Sequence, residues 1–248
     1  MKISVITAVY NAKDTVAEAI ESVLAQDYAD VELVVIDGAS TDGTKELLES
    51  YRDRIAVFVS EPDKGIYDAL NKGIKHATGD VVGFLHADDL FADSSVLSKI
   101  ADAFSDKGIE AAYGDLVYVS KSEPGKIIRY WQSGDYSEKK LKHGWMPPHP
   151  TFYVRRSVYE QHGSFDTSFQ IAADYDCMLR FLGRAKVREA YIPSVLVKMR
   201  LGGASNRSLS NIIRKSREDY RALSNNGIGG VWALVWKNLS KLPQFFKR

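Results

Sequence analysis

The sequence predicts an α/β protein built on a mostly parallel central sheet flanked by helices. Three observations carry that reading. Short, β-branched apolar runs recur through the first hundred residues, "KISVITAVY", "VELVVIDG", "RIAVFVS" and "DVVGFLHA". The intervals between them leave room for amphipathic helices over about 13–26, 42–52, 66–77 and 93–105. The runs are also nearly continuous in apolar character, which is the pattern of strands covered on both faces.

The punctuation agrees with this order. Gly38 and Gly43 bracket "GASTDG", Pro62 to Gly65 form a breaker cluster, and Gly79 in "ATGD" closes a helix just before the next strand. Beyond Gly108 the pattern changes: "EAAYGDLVYVS" and "GKIIRYW" read as strands joined by the turn-rich "KSEPG". Residues 133–150, which include "MPPHP", read as an ordered loop or lid. After it, "TFYVRRSVYEQHG" reads as a strand running into a helix, "ADYDCMLRFLG" as a helix, and "KVREAYIPSVLVKMR" as a strand interrupted by Pro193.

Composition excludes several functions. A chain of 248 residues can bury a core without disulfides or a structural metal. Cys177 is the only cysteine, so it has no intrachain partner and is expected to pack in the core, as befits a reducing compartment. No run approaches the roughly 18 apolar residues of a membrane span. The N-terminal "MKISVITAVYNAKD" has no small-residue cleavage site and reads as a buried first strand rather than a leader. A formal charge of +1 gives no global attraction to nucleic acid, yet residues 205–248 alone carry +7.

In an open parallel sheet, ligands sit beyond the carboxyl ends of the strands. Asp37 follows one apolar run, Glu61 and Asp63 the next, and His86, Asp88 and Asp89 a third, so acidic groups converge on one edge. Each acid alone can be a helix cap, as Thr41 or Asp42 is expected to be. The absence of GxxxxGK[ST] and GxGxxG argues against a phosphate-cradling loop or a dinucleotide fingerprint, and five scattered histidines without HExxH argue against a zinc hydrolase. What remains is an oxygen-ligand site suited to Mg²⁺ or Mn²⁺ bridging to substrate phosphates. A second acidic group places Asp174 and Asp176 at the start of a helix with Arg180 one turn on. An Asp176–Arg180 ion pair accounts for the second acid, leaving Asp174 free as a general base.

Four segments in order, "SVITAVYNA", "ELVVIDGASTDGT", "SEPDKGIYDALNKGIKHATGDVVGFLHADD" and "HPTFYVRRSVYEQHGSFDTSFQIAADYDCMLR", resemble the family 2 inverting glycosyltransferases of GT-A nucleotide-sugar-binding fold. Within that family the chain is similar to bacterial exopolysaccharide, colanic acid and O-antigen enzymes. The resemblance covers roughly residues 1–200 and implies a single catalytic domain over 1–204. About 1–107 would form its nucleotide-sugar-binding half and 108–204 its acceptor-binding half, with 205–248 a basic, tryptophan-containing helical extension.

It further implies that Thr7, Ala8 and Tyr10 with Asp37 line the nucleoside pocket, Asp37 reading the base. Asp68 and Asn71 would lie beside the nucleotide, Lys64 or Lys72 would face the diphosphate, Asp88 and Asp89 would hold Mn²⁺ or Mg²⁺, and Asp174 would deprotonate the acceptor. His149 and Arg180 match surroundings that contact acceptor or diphosphate. One departure stands out: the usual Asp-x-Asp-Asp begins here with His86, whose neutral imidazole supplies no carboxylate charge, and this places more weight on Asp89.

The implied reaction moves a sugar, from a UDP-sugar in the first instance, to a hydroxyl of a glycan or polyprenyl-diphosphate-linked acceptor. It would occur in the cytoplasm, at the inner face of the plasma membrane, with a homo-oligomer left open. Two other readings compete: a nucleotidyltransferase that makes a nucleotide sugar, and a noncatalytic membrane-associated partner of the same fold. In the tail, Val231, Trp232, Val235, Trp236 and Leu239 fall at helical spacing with Lys237, Lys241, Lys247 and Arg248. That pattern suits either a helix packed on the core or an interfacial helix over 227–248 that meets anionic lipid.

Overall fold

The computed structural model describes residues 1–201 and 209–239; Arg207, Lys241, Lys247 and Arg248 lie outside the described residues. The first half alternates as its sequence predicts: β1 (Ile3–Val9), α1 (Val16–Leu24), β2 (Val31–Asp37), α2 (Thr44–Glu49), β3 (Val57–Ser60), α3 (Ile66–His76), β4 (Val81–Phe84), a two-residue β5 (Leu90–Phe91) and α4 (Val96–Ala103). β3, β2, β1 and β4 lie side by side in that order, all parallel.

The period of two along these strands divides the core. Ile6, Val34, Ile36, Val82 and Phe84 face one layer with Tyr67 and Leu70 of α3. Val5, Val9, Val35 and Val81 face the other with Val16 and Ile20 of α1 and Ile100 of α4. Both faces are therefore buried, which is why the strands are apolar without alternation.

The second half adds β6 (Ala111–Val119), β7 (Ile127–Trp131), α5 (Glu138–Lys142), β8 (Tyr153–Arg155), α6 (Arg156–His162), α7 (Ala173–Met178), β9 (Glu189–Arg200), α8 (Leu209–Asn225) and α9 (Val231–Leu239). β8 joins the two halves, running antiparallel to both β4 and β6. Gly83 permits this junction: a Cβ there would lie 2.0 Å from the ring of Tyr153. β9 continues through Pro193 instead of breaking. Its register against β6 jumps from Gly114↔Ile192 to Asp115↔Val195, so a bulge absorbs the residue that cannot donate to the ladder.

The 133–150 segment is ordered, as expected, by side chains acting on main chain. Trp145 donates its indole N–H to the Ser133 carbonyl at 3.0 Å, and Tyr113 donates to the Gly134 carbonyl at 3.1 Å. Cys177 is buried in the core. Among the described residues no helix is long and apolar enough to cross a membrane.

Candidate active site

The candidate cleft lies at the carboxyl ends of β1, β2 and β4, where an open parallel sheet receives its ligands. At the β2 end Asp37 is fully buried and accepts hydrogen bonds from the Ser40 N–H at 3.2 Å and the Ser60 hydroxyl at 2.7 Å, with the Ser40 hydroxyl adding another. It thereby fixes the turn that follows β2, in which Ala39 takes a left-handed φ of 61°. At Gly38 in that turn a Cβ would stand 2.3 Å from an Asp63 oxygen and 3.3 Å from the Tyr10 ring, so a larger residue would displace the Asp63 carboxylate. Tyr10 is 66% exposed and Ala8 half-buried, whereas Thr7 is fully buried with its hydroxyl unpartnered and offers no surface to a ligand.

At the start of α3, Asp68 accepts the Lys64 N–H at 3.0 Å, while Lys72 bonds the Pro62 carbonyl at 2.9 Å and pairs with Glu61 at 2.8 Å. Of the two lysines, Lys64 is the one whose side chain is exposed. Asn71 uses both ends of its amide on the main chain of Phe165, at 2.9 and 3.0 Å, and so ties α3 to the loop before α7.

The "HADD" turn between β4 and β5 separates its two carboxylates. Asp89 is 1% exposed; one oxygen accepts the Arg200 N–H at 3.2 Å and the other has no partner. Burial pushes its carboxyl well above the ordinary range, and the charge of Asp88 adds to the rise against the pull of Arg200. Arg200, itself buried, donates to the Asp88 carbonyl at 3.1 Å and pairs with Glu18 at 2.6 Å, so it clamps the turn from beneath. Asp88 is half-buried, and among the described residues no side chain hydrogen-bonds its carboxylate.

Beside this turn stand His86 and His149, ring centroids 5.7 Å apart, each with one ring nitrogen buried and unpartnered. Burial lowers both imidazoles, His149 to about 4, while the charge of Asp174 pulls each upward. Both rings are therefore neutral near pH 7. Asp174, in the first turn of α7, is half-buried and lies 3.3 Å from the Tyr67 hydroxyl, which donates to the Ile171 carbonyl at 2.6 Å.

Asp176 points away from the cleft, buried, accepting from the Asn226 amide at 2.9 Å with Arg180 at 3.8 Å. Arg180 donates to the carbonyls of His162 and Ser164 at 2.6 and 2.7 Å. Its guanidinium thus holds the loop after α6, and the ion pair read from the sequence is present. Arg200, Tyr67 and Glu18 were not legible as site residues, since an isolated Arg at a strand end and a Tyr or Glu on a helix carry no local signal of what they clamp.

Among the described residues no three His, Cys, Asp or Glu side chains converge on a point as a metal cage would require. A cation brought with a diphosphate needs only one or two carboxylates, and an unpaired Asp88 at the rim fits that donor set.

A parallel sheet that delivers Asp88 to its carboxyl edge, with Asp88 and Asp174 both acting on the ring of His86, has the layout of a GT-A-type glycosyltransferase. The description "Glycosyl transferase family 2" matches residues 4–166, and the chain belongs to that family. It is 35% identical over 180 residues to an uncharacterized glycosyltransferase of Mycobacterium tuberculosis, covering 72% of this chain and 68% of that one. An uncharacterized glycosyltransferase of Rickettsia typhi is 30% identical over 248 residues, covering 96% and 73%.

Among solved structures, Staphylococcus aureus TarS 1–349 in complex with UDP-GlcNAc superposes with a TM-score of 0.69 at 17% identity, covering 99% of this chain and 78% of that one. The Pyrobaculum calidifontis mannosyltransferase in complex with GDP-Man and Mn²⁺ gives 0.68 at 19%, covering 98% and 70%. These likenesses show the fold.

Proposed function

We propose that the chain is an inverting glycosyltransferase. It moves a sugar from a nucleotide-sugar, UDP-linked in the first instance, to a hydroxyl of a glycan or polyprenyl-diphosphate-linked acceptor during bacterial surface-polysaccharide assembly. The observation that carries this reading is that two half-buried acids, Asp88 and Asp174, both lie near enough to His86 for their charges to act on its ring, and Asp174 acts on His149 as well. One acid suits the leaving group and the other the nucleophile.

Tyr10, Ala8 and the turn fixed by Asp37 line the nucleoside end, with Lys64 and the start of α3 toward the diphosphate. Asp88 holds the cation; Asp89 keeps the turn in place through Arg200. When bound, Mn²⁺ or Mg²⁺ offsets the charge that grows on the departing diphosphate. Asp174 accepts the proton of the acceptor hydroxyl, whose oxygen attacks the anomeric carbon from the face opposite the nucleotide, so that one displacement inverts the configuration. His86 and His149, being neutral, add no charge that would hold Asp174 in an ion pair.

The lipid-linked acceptor is favoured by the surface around α9. Its Ala233 and Lys237 pack inward, while Trp232 is 76% exposed and Val231 and Trp236 more than half exposed. His143 meets Trp236 edge-on, and Lys139 and Lys142 of α5 are exposed nearby. Exposed tryptophans beside basic residues suit the headgroup region of an anionic bilayer.

The test is calorimetry against a panel of UDP-, GDP- and dTDP-sugars with and without Mn²⁺, followed by nucleotide release with a membrane-lipid extract as acceptor source. Binding of one nucleotide class with acceptor-dependent release supports the reading. No binding across the panel overturns it, and release of pyrophosphate from a nucleoside triphosphate with a sugar phosphate would make the chain a nucleotidyltransferase.

A further inference from the structure

We infer that Glu218, on α8, is a positioning residue for Asp174; the inference rests on the reading of Asp174 as the base. The first turn of α7 has a defect in its own sequence. Its N-cap is Ala172, which has no side-chain acceptor, and the N–H groups of the residues that lead into it, Gln170 to Ala172, find their acceptor on another helix. That acceptor is Glu218. One carboxylate oxygen stands 3.1, 2.8 and 3.0 Å from the N–H groups of Gln170, Ile171 and Ala172, and the other 3.1 Å from that of Gln170.

Three successive N–H groups closing on one carboxylate are charge-assisted hydrogen bonds at the positive end of a helix. Asp174 follows Ala172 by two residues and is the nearest acid within α7 to these donors. With Glu218 in place they are satisfied, and the Asp174 carboxylate remains at the cleft beside Tyr67. Without it, three successive N–H groups lose their acceptor, the residues that lead into α7 lose their anchor on α8, and the Asp174 carboxylate shifts with them.

The rest of α8 supports the same loop. Arg214 bonds the Gln170 side chain, and Arg221 bonds the Ser168 hydroxyl at 2.9 Å and lies 3.6 Å over the Phe169 ring. From the opposite side, Tyr67 and Asn71 of α3 hold Ile171 and Phe165. The segment carrying the base is thus clamped between the nucleotide-side helix α3 and a helix that lies wholly beyond the family-matched residues 4–166. The basic extension is, on this account, part of the catalytic apparatus.

The experiment compares Glu218→Ala, Glu218→Gln and Asp174→Asn in the full chain, with the nucleotide-sugar selected by the panel above. Glu218→Ala is expected to lower kcat at least tenfold while the KM for the donor and the Kd for its nucleoside diphosphate change less than twofold. Glu218→Gln, whose amide oxygen still accepts from the three N–H groups, is expected to recover most of the loss. If Glu218→Ala does not fold, Glu218→Asp, one methylene too short to reach, takes its place with the same expectation.

Unchanged kcat in a folded variant overturns the inference. So does a parallel fall in kcat and donor binding that Glu218→Gln fails to rescue, which is the mark of a structural role alone. Asp174→Asn separates the two readings: if it keeps full activity, the base assignment fails first. If it is inactive while Glu218→Ala is unaffected, only the positioning claim falls.

Discussion

Two acidic pairs stand in the candidate site, and each has one half-buried and one buried member. In "HADD", Asp88 stands at the rim and Asp89 turns inward to the Arg200 main chain. In "ADYD", Asp174 stands at the cleft and Asp176 turns inward to Asn226 and Arg180. The pairs differ in what compensates the inner acid. Asp176 has an amide donor and a neighbouring guanidinium, whereas Asp89 keeps one buried oxygen without a partner and its carboxyl is pushed far up by burial. Neighbouring carboxylates in a sequence therefore need not be joint ligands: chain direction at a turn or helix start sends one outward and the other into the scaffold.

The comparison is broken most severely at Asp174. Asp174→Asn is expected to lower kcat by about 10²–10⁴, the range of general-base catalysis, with nucleotide affinity retained by calorimetry. Asp176→Ala should do the opposite. It removes one of the two acceptors of the buried Asn226 amide, leaving the Ala222 carbonyl, and costs about 1–3 kcal/mol in denaturant unfolding, with kcat changed only a few-fold. Were Asp176→Ala to abolish turnover in a folded protein, the inner acid would have been misassigned.

The smallest effect concerns the histidine between the pairs. His149 titrates near 4 in the folded chain and near 6.5 when unfolded, so the unfolded state binds the extra proton as pH falls between those values. The stability contribution is intact above 6.5 and is lost progressively toward 4. His149→Asn should remove this slope, so that wild type loses stability relative to the variant on going from pH 7 to 4.5. Equal pH dependence of the two proteins in urea melts would show that the ring is not held neutral.

Legibility followed the length scale of the cause. The parallel half was readable because each strand and helix is fixed by its own periodicity and its own breakers, from Ile3 to Ala103. That Asp37 and Asp88 follow parallel strands was readable from strand order, whereas Asp174 was singled out by its place at a helix start and by the family resemblance. What could not be read was orientation and partnership across long sequence separations. Asp89 meets Arg200 from 111 residues away, and Glu218 meets Ile171 from 47. A buried arginine in "VLVKMR" and a capping glutamate in "RKSREDY" look in sequence like ordinary surface charges. Thr7 was placed in the pocket by resemblance, yet strand pleating buries it completely and leaves Ala8 and Tyr10 toward the opening. Pro193 looked like a break because the bulge that accommodates it depends on a neighbouring strand.

The most direct test of the divided pairs is calorimetric binding of UDP with and without Mn²⁺ to Asp88→Asn and Asp89→Asn side by side. The account predicts that Asp88→Asn loses the affinity gained on adding Mn²⁺, by at least tenfold, while Asp89→Asn keeps most of that gain and instead unfolds at a different denaturant concentration from wild type. If Asp89→Asn abolishes the Mn²⁺ gain and Asp88→Asn preserves it, the assignment of outer and inner acid is wrong.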